Sequence, residues 1–365
     1  MDNIKLAFLG DIMPGGLLHY KKSSCVNNEV LEYLNGFDLR IGTLECAIGD
    51  DLAFYRGLLD ENAKNKNIIY ANELDIKRLK ELRIDIVTIA NNHIFDLGVA
   101  GLENTIKVLE ENNIKYFGAG MNIAEASKPV IVELKGKRIA FLGCTEILPG
   151  SPYPADISTP GFNPLIIDKI LQDITNLKRE NDYVFVLPHW DIEYNIIPLK
   201  KNRDLAFRMI SAGADGVFGG HSHVAQPPVF YKKKPIVFSM GNFLFPDRYV
   251  QPPAPTYYPA HNLDINKIPH STSPFCKEIT LKKWIARANI GMIAGLQIYE
   301  QKKLIIKFTK YTNQQLIQFH KKSIFKQLFF NVGSFMIRWC YALLSSLIWG
   351  LKFIRRTQLA ILKRK

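Results

Sequence analysis

Six short apolar runs in this chain each end in a polar cluster: "IKLAFLGD" (4–11), "FDLRIGTLE" (37–45), "IDIVTIANNH" (84–93), "RIAFLGCTE" (138–146), "DYVFVLPHW" (182–190) and "DGVFGGHSH" (215–223). Short runs rich in Val, Ile, Leu and Phe suit strands buried on both faces. The chain must therefore lay these runs inside a layered sheet and deliver its polar residues at the carboxyl ends of the strands. Between the runs lie helical patterns: "LDIKRLKELR", "GLENTIKVLEENN", "NPLIIDKILQDITNLKREN" and "KNRDLAFRMISAG". Strands alternating with such helices predict an α/β fold, in which ligands gather beyond the carboxyl ends of the strands. A last strand pair is expected in "GMIAGLQIYEQKKLIIKFTK".

At 365 residues the chain can be one large α/β domain with additions. Its 47% apolar and 22% charged residues exclude disorder and a disulfide scaffold. The net charge of +13 is localised: residues 1–300 carry 33 Lys/Arg against 34 Asp/Glu, and residues 301–365 carry 14 Lys/Arg and no acid. A neutral body without a recognition motif excludes nucleic acid as a partner. Five cysteines without C-x-x-C spacing read as reduced thiols. The N-terminus enters a strand at once, without the pattern of a secretory signal, so the expected location is cytoplasmic.

The strand ends carry the chemistry. Asp11, Glu45, Asn92, His189, His221 and His223 are carboxylate, amide and imidazole groups, a donor set for hard or borderline divalent ions. Taken singly, an Asp or Glu at a strand end is an ordinary cap or turn residue. Together, the six predict a dinuclear site with a shared carboxylate. In a turn, the two histidines of "HSH" can face one cavity and serve different ions. Two ions about 3.5 to 4 Å apart hold a hydroxide for attack on a phosphate-like group, which is hydrolase chemistry.

The ordered segments "GDIM", "GTLE", "ANNHIFDLG", "PHWDIEY", "GADGVFGGHSHVAQP" and "FSMGNFLF", over about residues 4–245, resemble the bacterial capsule-synthesis CapA family. This family, also called the poly-γ-glutamate biosynthesis family, lies within the calcineurin-like metallophosphoesterase superfamily. The resemblance implies a four-layer α/β/β/α sandwich and two divalent ions (Mn, Fe, Zn or Mg). It implies that Asp11 and His223 hold the first ion, that Asn92, His189 and His221 hold the second, and that Glu45 bridges them. It makes His93 the catalytic histidine, donating a proton to the leaving oxygen or stabilising its charge. Three departures stand out, the first being Glu45 in place of the more common bridging Asp. Met13 occupies a position where typical superfamily members place a ligating His, and Asp191 stands where the family more often has Gly. Met13 keeps open a second reading, a non-catalytic assembly or substrate-binding component with a retained metal site.

Around this set, Asp96 either orients His93 or caps the next helix, and Asn242 supports the site from its turn. Trp190 and Glu193 flank His189 as substrate contacts or as packing and solvated residues. Arg203 and Gln226 contact either an anionic substrate or a neighbouring loop. His19, His261, His270 and His320 are read as surface residues.

The expected domain spans residues 1–313, with a long Pro-rich loop at 246–275, and a basic apolar helical tail follows at 314–365. The uncharged run Trp339 to Leu351 has 13 residues, too few to span a bilayer. Arg338, Ser345 and Lys352 recur every seven residues, giving an amphipathic helix suited to an anionic membrane surface or to packing on the body. The expected partners are thus an anionic polymer or phosphorylated substrate, an anionic inner-membrane face, and other polymer-synthesis proteins.

Overall fold

A computed structural model of the chain describes residues 3–59, 68–147, 153–250, 280–282, 284–299, 302–312, 316–320, 324–339 and 341. Two large sheets dominate them. The first runs through β1 (Ile4–Ile12), β2 (Leu39–Leu44), β3 (Ile86–Thr88) and β4 (Lys115–Phe117), all parallel. The second centres on β6 (Lys137–Thr145), β7 (Tyr183–His189), β8 (Gly216–Phe218) and β10 (Lys234–Val237), also parallel. Antiparallel strands β5 (Val130–Leu134) and β9 (Val229–Tyr231) form its edges. The chain then returns to the first sheet. There β11 (Asn242–Leu244) pairs with the end of β1, and β12 (Ile290–Ile298), β13 (Lys302–Tyr311) and β14 (Ile317–Phe319) extend the other side of β1 antiparallel.

The sheets stack face to face through an aromatic core. Phe8 lies flat on Phe218 with ring centres 3.7 Å apart and meets Phe185 edge-on at 5.4 Å. Ile41, Ile86, Phe141 and Val237 complete this inner layer. Helices cover the outer faces. On the first sheet lie α1 (Asn28–Asn35), α2 (Ile76–Glu81) and α3 (Gly98–Glu111), burying Leu34, Leu79, Leu102 and Leu109. On the second lie α4 (Ile167–Glu180) and α5 (Lys200–Ala212), burying Ile170, Ile174, Leu205, Met209 and Ile210 at helical spacing. The result is a four-layer α/β/β/α sandwich. Its parallel strands bring the carboxyl ends of β1, β2, β3, β7 and β8 to one edge.

Two stretches depart from the sequence reading. Within the expected loop 246–275, Arg248–Val250 pairs antiparallel with Thr280–Lys282, while residues 251–279, with His261 and His270, lie outside the described residues. In the tail, β14 belongs to the first sheet, and helix α6 (Ile324–Trp339) packs on the body. Ile337 is fully buried in the core of the second sheet, and Phe330 meets Phe308 edge-on at 5.1 Å. Ser345 and Lys352 lie outside the described residues, among which no helix is long and apolar enough to cross a membrane.

Candidate metal centre

The centre is assembled by strand ends. Between Phe8 and Asp11, β1 advances three residues while β2 advances two, from Ile41 to Thr43, so a bulge turns Asp11 toward the second sheet. The bulge works because Gly10 lets the 241 turn approach: a Cβ there would stand 1.9 Å from the Gly241 carbonyl oxygen. Gly220 is constrained in the same way, since its Cβ would lie 2.4 Å from Asp11 Oδ1. The "HSH" turn places both histidines in the left-handed region, His221 at φ +85° and His223 at φ +55°. Such backbone costs of order 1 kcal/mol or more per residue. Here it points both rings at one cavity.

Glu45 sits at the middle. Its Oε1 lies 3.4 Å from His189 Nε2 and 3.6 Å from His223 Nε2, and both its oxygens are buried without a hydrogen-bond partner. His189 Nε2 is also 2.8 Å from Asn92 Oδ1 and 3.2 Å from His221 Nδ1. Asp11 Oδ2 accepts the His221 N–H at 3.3 Å and lies 3.5 Å from His223 Nδ1, while Oδ1 has no partner. Two triads result, Glu45–His189–His221 and Asp11–Glu45–His223, each with ligand atoms within 4.8 Å of one another. Partnerless buried carboxylate oxygens facing imidazole nitrogens are costly unless a cation joins them, and this O/N donor set fits Mn, Fe or Zn.

The charges respond accordingly. Burial, followed by the Glu45 charge, raises the Asp11 carboxyl above its ordinary range. Burial alone would raise Glu45 too, but His223 and His189 outweigh it and hold the group at about 2. His223 reaches about 9 because Glu45 and Asp11 overcome the opposing effect of burial. His221, desolvated and beside His189, falls well below the ordinary imidazole value.

His93 stands at the rim with Nδ1 2.7 Å from Asp96 Oδ2, which also accepts the Ile69 N–H at 2.7 Å. Burial opposes its charge, but Asp96 and Glu45 raise its pKa. Asn242 Oδ1 lies 2.8 Å from His223 Nδ1 and so faces that ring from β11. Asp191, at φ +83°, adopts the backbone a glycine would take, and its carboxylate accepts the Ile192 and Leu199 N–H groups.

The remaining predicted residues stand outside the two triads. Trp190 is fully buried and donates Nε1–H to the Phe238 carbonyl, so it packs the second sheet. Gln226 is buried and donates to the Asn195 carbonyl at 3.1 Å. Arg203 is drawn away by Asp204 and the ring of Tyr341, 4.6 Å from its guanidinium carbon. Glu193 is exposed. Met13 is buried in the core of the first sheet, its sulfur accepting the Gly15 N–H at 3.2 Å. His19 pairs with Asp75 at 2.9 Å.

Two residues escaped the sequence reading. Trp284 lies 4.9 Å from the His223 ring centre and shares that wall with Phe245. It follows the Pro-rich stretch, where no periodicity marks it. Asn91 is fully buried, donating to the Leu44 carbonyl and accepting the His93 N–H, which pins the histidine's turn beside Glu45. The doubled Asn of "ANNH" was its only signal.

The profile of the family described as "Bacterial capsule synthesis protein PGA_cap" matches residues 5–247. The chain is 33% identical over 260 residues to "Capsule biosynthesis protein CapA" of Bacillus anthracis, covering 67% of this chain and 60% of that protein. To "PGA biosynthesis protein CapA" of Bacillus subtilis strain 168 it is 29% identical over 249 residues, covering 67% and 64%. The chain thus spans about three-fifths of the length of these relatives. Among solved structures, a phosphatase from Mycoplasma pneumoniae aligns with TM-score 0.45 and 14% identity, over 89% of this chain and 99% of that one.

Proposed function

The chain belongs to the bacterial capsule synthesis family PGA_cap, and from that premise we propose that it is a metal-dependent, hydrolase-like protein. In this reading it serves the synthesis or attachment of an anionic surface polymer of the poly-γ-glutamate kind, and the bond attacked is a phosphoester or related linkage. The observation that carries the reading is Glu45, fully buried and shared between two ligand triads. Asp11 and His223 would hold one ion, Asn92, His189 and His221 a second, and Glu45 both. Ions bound there would neutralise a phosphoryl-type oxyanion and lower the pKa of a water nucleophile.

The chain's own residues supply the rest. With Nδ1 engaged by Asp96, His93 has Nε2 left to meet the substrate and give a proton to the leaving oxygen. Asn91 and Asn242 hold the His93 and His223 segments so that little reorganisation accompanies reaction. The polymer or a phosphorylated precursor is the substrate side of this reading. Other polymer-synthesis proteins and an anionic membrane face, reached by the basic C-terminal segment, are its partners.

The experiment is metal analysis joined to turnover of a generic phosphodiester by wild type, His93→Ala and His221→Ala. Bound metal with turnover lost in both variants supports the enzyme. A second reading has its own observation. Met13 turns its sulfur to the Gly15 N–H, so the first ion would have only Asp11, Glu45 and His223 as protein ligands. Metal bound by wild type with no turnover of any phosphoester favours a non-catalytic assembly component.

A further inference from the structure

We propose that Arg203 and Tyr341 are positioning residues for the candidate centre. Through them the C-terminal helix α6 holds the loop Asp191–Leu199, and with it the His221–His223 turn. Only the metal readout of the test rests on the function proposed above.

The loop leaves His189 at the end of β7 and must return to α5. It does so through two non-glycine residues in the left-handed region, Asp191 at φ +83° and Tyr194 at φ +65°. Its crest is uncovered, with Ile192 55% exposed and Glu193 exposed, while Tyr194, Ile196 and Ile197 pack on the two cores. Segments of this kind depend on their hydrogen bonds. At the inner end, the Asp191 carboxylate accepts from Ile192 N at 2.7 Å, Asn195 Nδ2 at 3.0 Å and Leu199 N at 3.1 Å. Tyr194 N donates to the Ser222 carbonyl at 2.7 Å. Ser222 is the residue between His221 and His223, so this bond ties the loop directly to the ligand turn.

The outer end is tied to the C-terminal helix. The Tyr341 hydroxyl donates to the Pro198 carbonyl at 2.6 Å. Arg203, in the first turn of α5, places its guanidinium carbon 4.6 Å from the centre of the Tyr341 ring, within cation–π range. Arg203 Nη1 also reaches the Ile337 carbonyl at 3.5 Å, and Ile337 is the residue that anchors α6 in the core of the second sheet. A path of contacts therefore runs from Tyr341, two residues past the end of α6, through Pro198 to Tyr194 and Ser222, and Arg203 joins Tyr341 to Ile337 of α6. A loop with left-handed residues and an exposed crest has other conformations available once one end is released, and those would displace Ser222 and its two neighbours.

The test uses the full chain and compares Tyr341→Phe, Arg203→Ala and Arg203→Lys with Phe335→Ser, which alters the exposed face of the same helix. Hydrogen exchange is followed at the Ile192, Tyr194 and Leu199 amides and at Val184–Leu187 of β7, and Mn²⁺ affinity is measured on the metal-stripped proteins. Tyr341→Phe loses one hydrogen bond and is expected to speed loop exchange roughly five- to tenfold. Arg203→Ala should do the same, Arg203→Lys should restore part of the protection, and Phe335→Ser should change nothing. β7 should stay protected throughout, and Mn²⁺ binding should weaken in step with loop exchange. Wild-type exchange in both Tyr341→Phe and Arg203→Ala overturns the proposal, as does an increase spread equally over β7. If wild type takes up no Mn²⁺, the metal reading fails while the exchange result still decides this one.

Discussion

Glu45→Gln in metal-free protein removes the charge at the middle of the centre and leaves its shape. The structure sets the magnitude. Glu45 is held at about 2 against an ordinary 4.5, and His223 at about 9 against an ordinary 6.5. At 1.36 kcal/mol per pH unit, either displacement corresponds to roughly 3 kcal/mol. These are two views of one attraction, so they are not added, and Asp11 contributes part of the His223 effect. The expected loss is about 2 to 3 kcal/mol. Its pH dependence follows from linkage. Glu45, with a lowered value, contributes fully above 4.5 and loses that contribution as pH falls toward 2. His223, with a raised value, contributes fully below 6.5 and loses it as pH rises through 9. The difference between wild type and variant should therefore be greatest between pH 4.5 and 6.5 and shrink on both sides. Urea unfolding in chelator, followed by tryptophan fluorescence from pH 3 to 9.5, measures it. Buried ion pairs can often be replaced by uncharged groups at little cost. A pH-independent difference, or a Gln variant as stable as wild type at pH 5.5, would refute the assigned coupling.

Other perturbations separate the centre from its scaffold. Phe8→Ala, which removes the ring stacked on Phe218 between the sheets, should cost about 3 to 5 kcal/mol in urea unfolding while bound metal per folded chain stays unchanged. Asp215 accepts from Lys178 and Lys302 at 2.8 and 2.6 Å, contacts that outweigh burial and lower its pKa. The deficit of Asp215→Asn should accordingly be complete above the ordinary carboxylate value of 3.8 and fade in stronger acid. Asp96→Asn removes the carboxylate that holds the His93 ring and should lower phosphodiester turnover about 10- to 100-fold, less than His93→Ala, with metal content retained.

The sequence displayed the strands and their ends because a strand buried on both faces has to be apolar until it reaches the edge. That is why Asp11, Glu45, Asn92, His189, His221 and His223 could be picked out and why the structure brings them to one edge. What the sequence hid depends on backbone conformation or on distant packing. The bulge before Asp11 leaves no composition signal beyond Gly10. Arg203 looked available to an anion, but its neighbours Asp204 and Tyr341 are stronger local partners, one adjacent in sequence and one on a helix far along the chain. Trp284 reaches His223 only because the chain returns to the first sheet after the Pro-rich stretch. The tail's periodicity pointed first to a membrane face, with packing on the body or a partner as the alternative. Burial of Ile337 shows that α6 meets the body on one side, with Val332 and Phe335 exposed.

Metal stoichiometry after loading with Mn²⁺ tests most directly whether Glu45 joins two ion sites. Wild type should retain two ions per chain, Asp11→Ala and His221→Ala one each, and Glu45→Ala none. One ion or none in wild type, or two retained in Glu45→Ala, would contradict a Glu45 bridge.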